Sequence, residues 1–125
     1  MKKVIETTEA PSPIGPYNQA ILVDKTLYAS GQIALNPKTM ELVNEDIQAE
    51  TTQVMKNLLE VLKAAGMDFN NVVKSTIYLA DMGDFAHVNE VYGRYFNHDA
   101  PARETVQVAQ LPKNVRVEIS VIAIL

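Results

Sequence analysis

The sequence predicts an α+β fold, a two-layer sandwich with two helices on one face of a mixed β-sheet, in the order β-β-β-α-β-α-β-β. Three observations carry that reading. A chain of 125 residues suits one domain of roughly 150 residues and leaves no room for a second core. Apolar residues recur at helical spacing in two stretches. Around these stretches lie short runs rich in β-branched residues or strictly alternating in polarity, which read as strands. Residues 1–125 therefore form a single domain, and right-handed crossovers place both helices on the same side of the sheet.

In chain order, Pro11, Pro13 and Pro16 with Gly15 make Ala10 to Tyr17 a stiff irregular segment, because each proline fixes its own φ and biases its predecessor away from helix. Ala20-Ile21-Leu22-Val23 and Thr26-Leu27-Tyr28-Ala29 flank Asp24-Lys25 as a hairpin, and Ser30-Gly31-Gln32-Ile33 continues the second strand. Gly31 inside a strand marks a bulge or a close approach of another group. Asn36-Pro37-Lys38 is a turn. From Asp46 onward, Ile47, Thr51, Val54, Leu58, Val61, Leu62 and Ala65 share a helix face, with Asn44 as the expected cap, Glu45 and Asp46 at the positive end, and Gly66 as the stop.

Val72 to Leu79 reads as a strand. Phe85, Val88, Val91, Tyr92 and Tyr95 then define a second helix, with Asp81 and Asp84 in a capping arrangement at its start. A short strand, Thr105-Val106-Gln107-Val108, a turn at Leu111-Pro112-Lys113-Asn114, and a long strand from Val115 to Ile124 complete the chain. In the last strand Val115, Val117, Ile119, Val121 and Ala123 point one way, and Arg116, Glu118, Ser120, Ile122 and Ile124 the other. Two helices cover only one face of such a sheet. Ile122, Ile124 and parts of the Val72 to Leu79 strand leave the opposite face partly apolar, which predicts a homo-oligomer.

Composition removes much chemistry. Zero cysteines exclude disulfides, thiolate zinc sites and thiol nucleophiles, and fit a reducing cytoplasm. With 11 scattered Lys and Arg against 15 Asp and Glu, the net charge of −4 disfavours a nucleic-acid or anionic-membrane partner. The N-terminus reaches Glu6 and Glu9 before any long apolar run, so no signal peptide is expected, and no run approaches the ~18 apolar residues of a membrane span. His87 and His98 do not form a metal-ligand pattern, and neither a Gly-x-Ser-x-Gly elbow nor a Gly-rich phosphate loop occurs.

What remains is Arg103, at a loop-to-strand junction in Ala100-Pro101-Ala102-Arg103, and Glu118 on the polar side of the last strand. An arginine fork holds a carboxylate through two hydrogen bonds, and a nearby glutamate can orient or deprotonate a water. The same two residues also suit a surface ion pair worth ~0–1 kcal/mol. Tyr17, after Gly15-Pro16, suits a packed ring with a wet hydroxyl as well as a site residue. Asn89, in mid-helix, is by default solvated.

Ile14-Gly15-Pro16-Tyr17, Ala29-Ser30-Gly31-Gln32-Ile33, Asn57-Leu58 with Ala64-Ala65-Gly66, Asp84-Phe85-Ala86 with Val88-Asn89, and the C-terminal set Pro101-Ala102-Arg103, Val106-Gln107-Val108-Ala109, Leu111-Pro112 and Val117-Glu118-Ile119 together resemble the Rid family, the YjgF-type reactive-intermediate deaminases. The resemblance implies a chorismate-mutase-like sandwich assembled as a homotrimer, with clefts between subunits in which Arg103 and Glu118 of one chain lie near Tyr17 of another. It implies hydrolysis of enamines and imines such as 2-aminoacrylate and 2-iminobutanoate, released by pyridoxal-phosphate enzymes, to 2-oxo acids and ammonia, with no cofactor or metal. Arg103 would clamp the substrate carboxylate and Glu118 would activate water. The backbones of Gly31 and Thr105 would line the site, with Tyr17, Ser30 and Asn89 as further substrate contacts.

Three positions depart from the common family pattern. Thr105 replaces a frequent Cys and excludes a thiol, the loop Asn97 to Ala100 looks short, and Glu104, if it faced the site, would compete for the guanidinium. A module that binds 2-oxo acids or amino acids without turnover would share the Arg103 cleft; Glu118 is the feature that such a module does not need.

Overall fold

The computed structural model covers residues 1–125 and contains one six-stranded sheet and two α-helices. Strands β1 (Lys2–Ile5), β2 (Ala20–Val23) and β3 (Thr26–Gln32) form an antiparallel meander. Helix α1 (Ile47–Ala64) crosses to β4 (Val72–Leu79), and helix α2 (Phe85–Gly93) crosses to β5 (Ala102–Gln107). Strand β6 (Val117–Ile124) inserts between β3 and β4, giving the order β1-β2-β3-β6-β4-β5, with β4 and β5 the only parallel pair. This is the two-layer α+β arrangement that the hydrophobic patterns predict.

The alternation of β6 decides which face is the core. Val117, Ile119, Val121 and Ala123 are buried in one cluster with Val54, Leu58, Val61 and Leu62 of α1, so the apolar stripe of the helix and the inward pleat of the strand exclude water from each other. On the other face no element covers the sheet, and Tyr28 and Ile124 remain about half exposed, at 51% and 45%. The unbalanced burial expected from the sequence is thus present in the single chain.

Boundaries differ where polar residues carry the signal. Asp46 and not Asn44 caps α1, its carboxylate accepting from the Ala49 N–H at 2.7 Å. Asn44 instead offers its carbonyl to Arg116 Nη2 at 3.0 Å. Asp81 caps a 3-10 turn at Met82–Asp84 that leads into α2, and Asp84 makes no side-chain cap. Gly66 stops α1 at φ 75°, the left-handed conformation that a side chain resists. Strand β5 begins at Ala102, three residues before the expected start at Thr105, because pairing with β4 recruits the polar edge Ala102 to Glu104 that no alternation marks. Arg103 therefore sits inside an edge strand and Thr105 in its middle, opposite Ile77. Strand β1, ahead of the proline segment, likewise exists through its pairing with β2.

Glu50 of α1, 1% exposed, accepts the Arg116 backbone N–H at 2.8 Å and Nε at 2.7 Å. This pair staples α1 to the residue before β6 and fixes where that strand enters the sheet. No helix is long and apolar enough to cross a membrane.

Candidate active site

Gly31 and Glu118 are brought together by a fault in the ladder. From Ala29 opposite Val121 to Gln32 opposite Ile119, β3 advances one residue more than β6, so Ser30 and Gly31 occupy a bulge. The Glu118 side chain lies across it. A Cβ on Gly31 would overlap Glu118 Oε2 and stand 2.8 Å from Cδ and 3.0 Å from Cγ, so only glycine admits the carboxylate at this place. Both alternatives raised by a glycine inside a strand, a bulge and a close approach, hold at once.

Glu118 forms part of the wall of a cleft of about 360 Å³, together with Ser30 and Gly31 of β3, Ile33 and Leu35 beyond it, and Ile14 and Tyr17 from the proline segment. That volume suits a small ligand. Burial pushes the Glu118 carboxyl above its ordinary value, and none of the four ion pairs of the chain includes it. A half-buried carboxyl without a countercharge is poised to exchange protons nearer neutrality than a free glutamate does. Tyr17 is 47% exposed, its hydroxyl accepting from the Ile14 N–H at 3.3 Å. Ser30 donates its hydroxyl to the Asn18 carbonyl at 2.6 Å, which leaves its lone pairs to serve as acceptors.

Two buried amides hold the walls of this cleft, Asn57, which the sequence offers only as part of a family-like segment, and Gln19, which no motif marks. Asn57 of α1 donates to the carbonyls of Ile33 at 3.1 Å and Leu35 at 3.0 Å. Gln19 binds the opposite wall at Thr7, Ala10 and Pro11. A polar residue at a buried position is the available sequence signal, but for Gln19 that burial is created by the loop folding over it.

Arg103 stands elsewhere. It pairs in register with Ser75, which is buried on the helix side of the sheet, and its guanidinium packs over the rings of Tyr92 at 5.1 Å and Phe85 at 5.7 Å from α2. Nη1 donates to Asn89 Oδ1 at 2.7 Å, so Asn89 holds the arginine instead of lying solvated. Tyr92 donates its hydroxyl to Ser75 Oγ at 2.8 Å; burial raises its phenol pKa, against lowering contributions from that bond and from Arg103. Thr105, two residues along β5, has a buried hydroxyl without a hydrogen-bond partner.

The expectation that one chain supplies Arg103 and Glu118 together, with Tyr17 from another, is therefore corrected. Glu118 shares its cleft with Tyr17, Ser30 and Gly31 of the same chain, while Arg103, Asn89 and Thr105 form a second group. The sheet separates the two. Glu118 belongs to the outward pleat of β6, opposite Tyr78, whereas Arg103 belongs to the pleat that faces α2. Glu104, on the alternate pleat, pairs with Lys74 at 3.3 Å and does not compete for the Arg103 guanidinium. His87 Nδ1 lies 3.0 Å from Gln48 Nε2 on the surface, and His98 is exposed.

The two groups carry different chemistry. One offers an acid–base carboxyl beside a small cleft, and the other a cation pre-oriented by two rings and an amide, with no carboxylate of its own to neutralise it.

Comparison with known proteins matches residues 7–125 to the family described as endoribonuclease L-PSP. The chain is 56% identical over 124 residues to the mouse (Mus musculus) 2-iminobutanoate/2-iminopropanoate deaminase, covering 99% of this chain and 92% of that protein. Among solved structures, the Rid-family protein YyfA of Yersinia pestis superposes with a TM-score of 0.97 at 49% identity over the whole of both chains. Escherichia coli TdcF with bound serine superposes with a TM-score of 0.94 at 39% identity over 98% of each.

Proposed function

The chain belongs to the endoribonuclease L-PSP family, which takes in the Rid proteins, and from that membership we propose that it hydrolyses reactive 2-imino acids and their enamine tautomers to 2-oxo acids and ammonia. The mouse deaminase, at 56% identity along nearly the full length, supports that substrate class. The observation that carries the reading to this chain is the Glu118 carboxyl, raised by burial and unpaired beside the Gly31 bulge.

The substrate is an imine with a carboxylate next to the reacting carbon. Arg103, held by Asn89, Tyr92 and Phe85, is the carboxylate clamp, and its pre-orientation lowers the entropy lost on binding. Glu118 removes a proton from water as the oxygen adds to the carbon of the protonated imine and the C=N electron pair settles on nitrogen, giving an amino alcohol; it then returns that proton to nitrogen as the carbon–nitrogen bond breaks, and the hydroxyl proton passes to the departing ammonia as the carbonyl forms. One water is consumed and one ammonia released for each 2-oxo acid formed. The imine carbon is already electrophilic, so the reaction needs no cofactor.

Arg103 and Glu118 lie on opposite faces of their own sheet, so we place the complete site between two subunits, Glu118, Tyr17, Ser30 and Gly31 from one and Arg103, Asn89 and Thr105 from its neighbour. A homotrimer repeats this contact three times by cyclic symmetry and covers the open face with Tyr28 and Ile124. The absence of cysteine fits a cytoplasmic setting, where pyridoxal-phosphate enzymes release such imines.

The family's name favours a second reading, cleavage of RNA. Against it stand the net charge of −4 and a cleft with neither histidine nor lysine on its walls, where phosphate contacts call for clustered cations.

The test generates 2-aminoacrylate from serine with a pyridoxal-phosphate dehydratase and follows imine loss and pyruvate appearance with and without this protein. Acceleration over spontaneous hydrolysis is the expected result. Equal rates with and without the protein would sink the deaminase reading, and RNA cleavage by the same preparation would replace it.

A further inference from the structure

We propose that Gln19 is the positioning residue that sets the outer wall of the Glu118 cleft and thereby the affinity for substrate, an inference that rests on the imine-hydrolase reading. The wall residues Pro11, Ser12, Ile14 and Tyr17 belong to a segment without helix or strand. Ala10 is buried in the main core cluster and Pro11 is buried beside it, but no β-ladder holds the rest of the segment, so its polar backbone depends on individual bonds.

Those bonds converge on one side chain. Gln19 Oε1 accepts the Thr7 N–H at 2.7 Å, while Nε2 donates to the carbonyls of Thr7 at 3.0 Å, Pro11 at 2.9 Å and Ala10 at 3.3 Å. Every hydrogen bond between residues 7–17 and the remainder of the chain passes through this amide; the segment's other bonds are internal, from Tyr17 N–H to Gly15, Glu9 N–H to Thr7, and Ile14 N–H to Tyr17. Gln19 is 2% exposed, so water does not replace a lost bond without opening the wall. Its own backbone is anchored, the carbonyl accepting the Ser30 N–H at 2.9 Å beside the bulge. One residue thus connects the floor of the cleft to its outer wall.

Chemistry requires an amide at this place. A single donor–acceptor group must meet one N–H and three carbonyls, and only a primary amide offers both polarities in one plane. Gln19→Glu keeps an acceptor for Thr7 N–H but turns a negative oxygen toward three carbonyls. Gln19→Met keeps the length and loses all four bonds.

The experiment combines amide hydrogen exchange of residues 7–17, titration with 2-oxobutanoate by calorimetry, and imine-hydrolysis kinetics for the protein and both variants. Gln19→Met is expected to speed exchange in this segment by about tenfold or more while the strands keep their protection. The 2-oxobutanoate Kd and the KM should rise by about tenfold, with a smaller change in kcat and an unchanged acid limb in the pH–rate profile, because Glu118 stays on its strand. Gln19→Glu should fall between the two. Unchanged exchange in both variants, or faster exchange with unchanged Kd and KM, would overturn the proposal, as would a loss confined to kcat. If the unaltered protein proves inactive, the deaminase reading fails alone; exchange and 2-oxobutanoate binding still decide the role of Gln19. If Gln19→Met does not fold, Gln19→Glu decides by the same measurements.

Discussion

The Glu118 carboxylate occupies the space that a β-carbon on residue 31 would fill, with Cδ only 2.8 Å from that position. The bulge and the glycine therefore serve the carboxylate directly. Gly31→Ala should leave the sheet intact, because a flexible side-chain end can rotate away, but it should displace Glu118 from its working position. We expect imine hydrolysis to fall by at least ~10²-fold, the scale of a lost general acid–base group, with little change in melting temperature. An alanine variant with full activity would show that the carboxylate position does not matter.

Glu118→Gln keeps the shape and removes the proton exchange. Activity should fall by ~10²–10⁴-fold. In the unaltered protein the acid limb of kcat/KM should lie above the ~4.3 of a free glutamate, since burial raises this group, and the limb should vanish in the variant. Stability carries the same sign. The native state holds the Glu118 proton to higher pH than the unfolded chain, so stability is greatest below the unfolded pKa and declines as pH rises through the folded one. Melting temperatures of protein and variant should coincide in acid, and the variant should melt higher at neutral pH.

Arg103→Lys retains charge but not the planar fork that lies over Tyr92 and Phe85. Steady-state kinetics should show KM raised by at least about tenfold, the scale of a lost charge-assisted bond, with Tm nearly unchanged. Asn89→Ala should shift KM in the same direction by less, because it frees the guanidinium without removing it.

Arg116→Met leaves the Glu50 carboxylate, 1% exposed, with only the backbone N–H of residue 116. Urea unfolding should show a loss of about 3 kcal/mol, the cost of breaking a buried pair from one side. A loss below ~1 kcal/mol would mean that water reaches Glu50 in the variant.

The sequence patterns located the β4 strand at both ends, both helices, and the alternating face of β6, because each buries apolar residues with the period of its own backbone. They did not locate β1, or the start of β5 at Ala102, since those strands exist through pairing with neighbours distant in sequence. Gly31 was legible as a glycine inside a strand, and Arg103 and Glu118 as candidate chemistry. Their separation was not: whether two residues share a face of a sheet depends on the registers of β4 against β5 and β6, and the register shift between Val72 and Lys74 against β6 carries no mark in the sequence. Gln19 and Asn57 stayed hidden for a related reason, because each amide acquires its partners only when a distant segment folds against it.

If Glu118 and Arg103 act together across a subunit boundary, as proposed, two inactive variants restore one another's activity. Chains carrying Arg103→Ala and chains carrying Glu118→Ala, each inactive alone, can be unfolded together in equal amounts, refolded, and assayed for imine hydrolysis. A site shared between neighbours should regain about a quarter of the unaltered activity, the fraction of randomly assorted contacts that join an intact Glu118 to an intact Arg103. A mixture that assembles yet stays as inactive as either variant would mean that the two residues do not share a site between subunits.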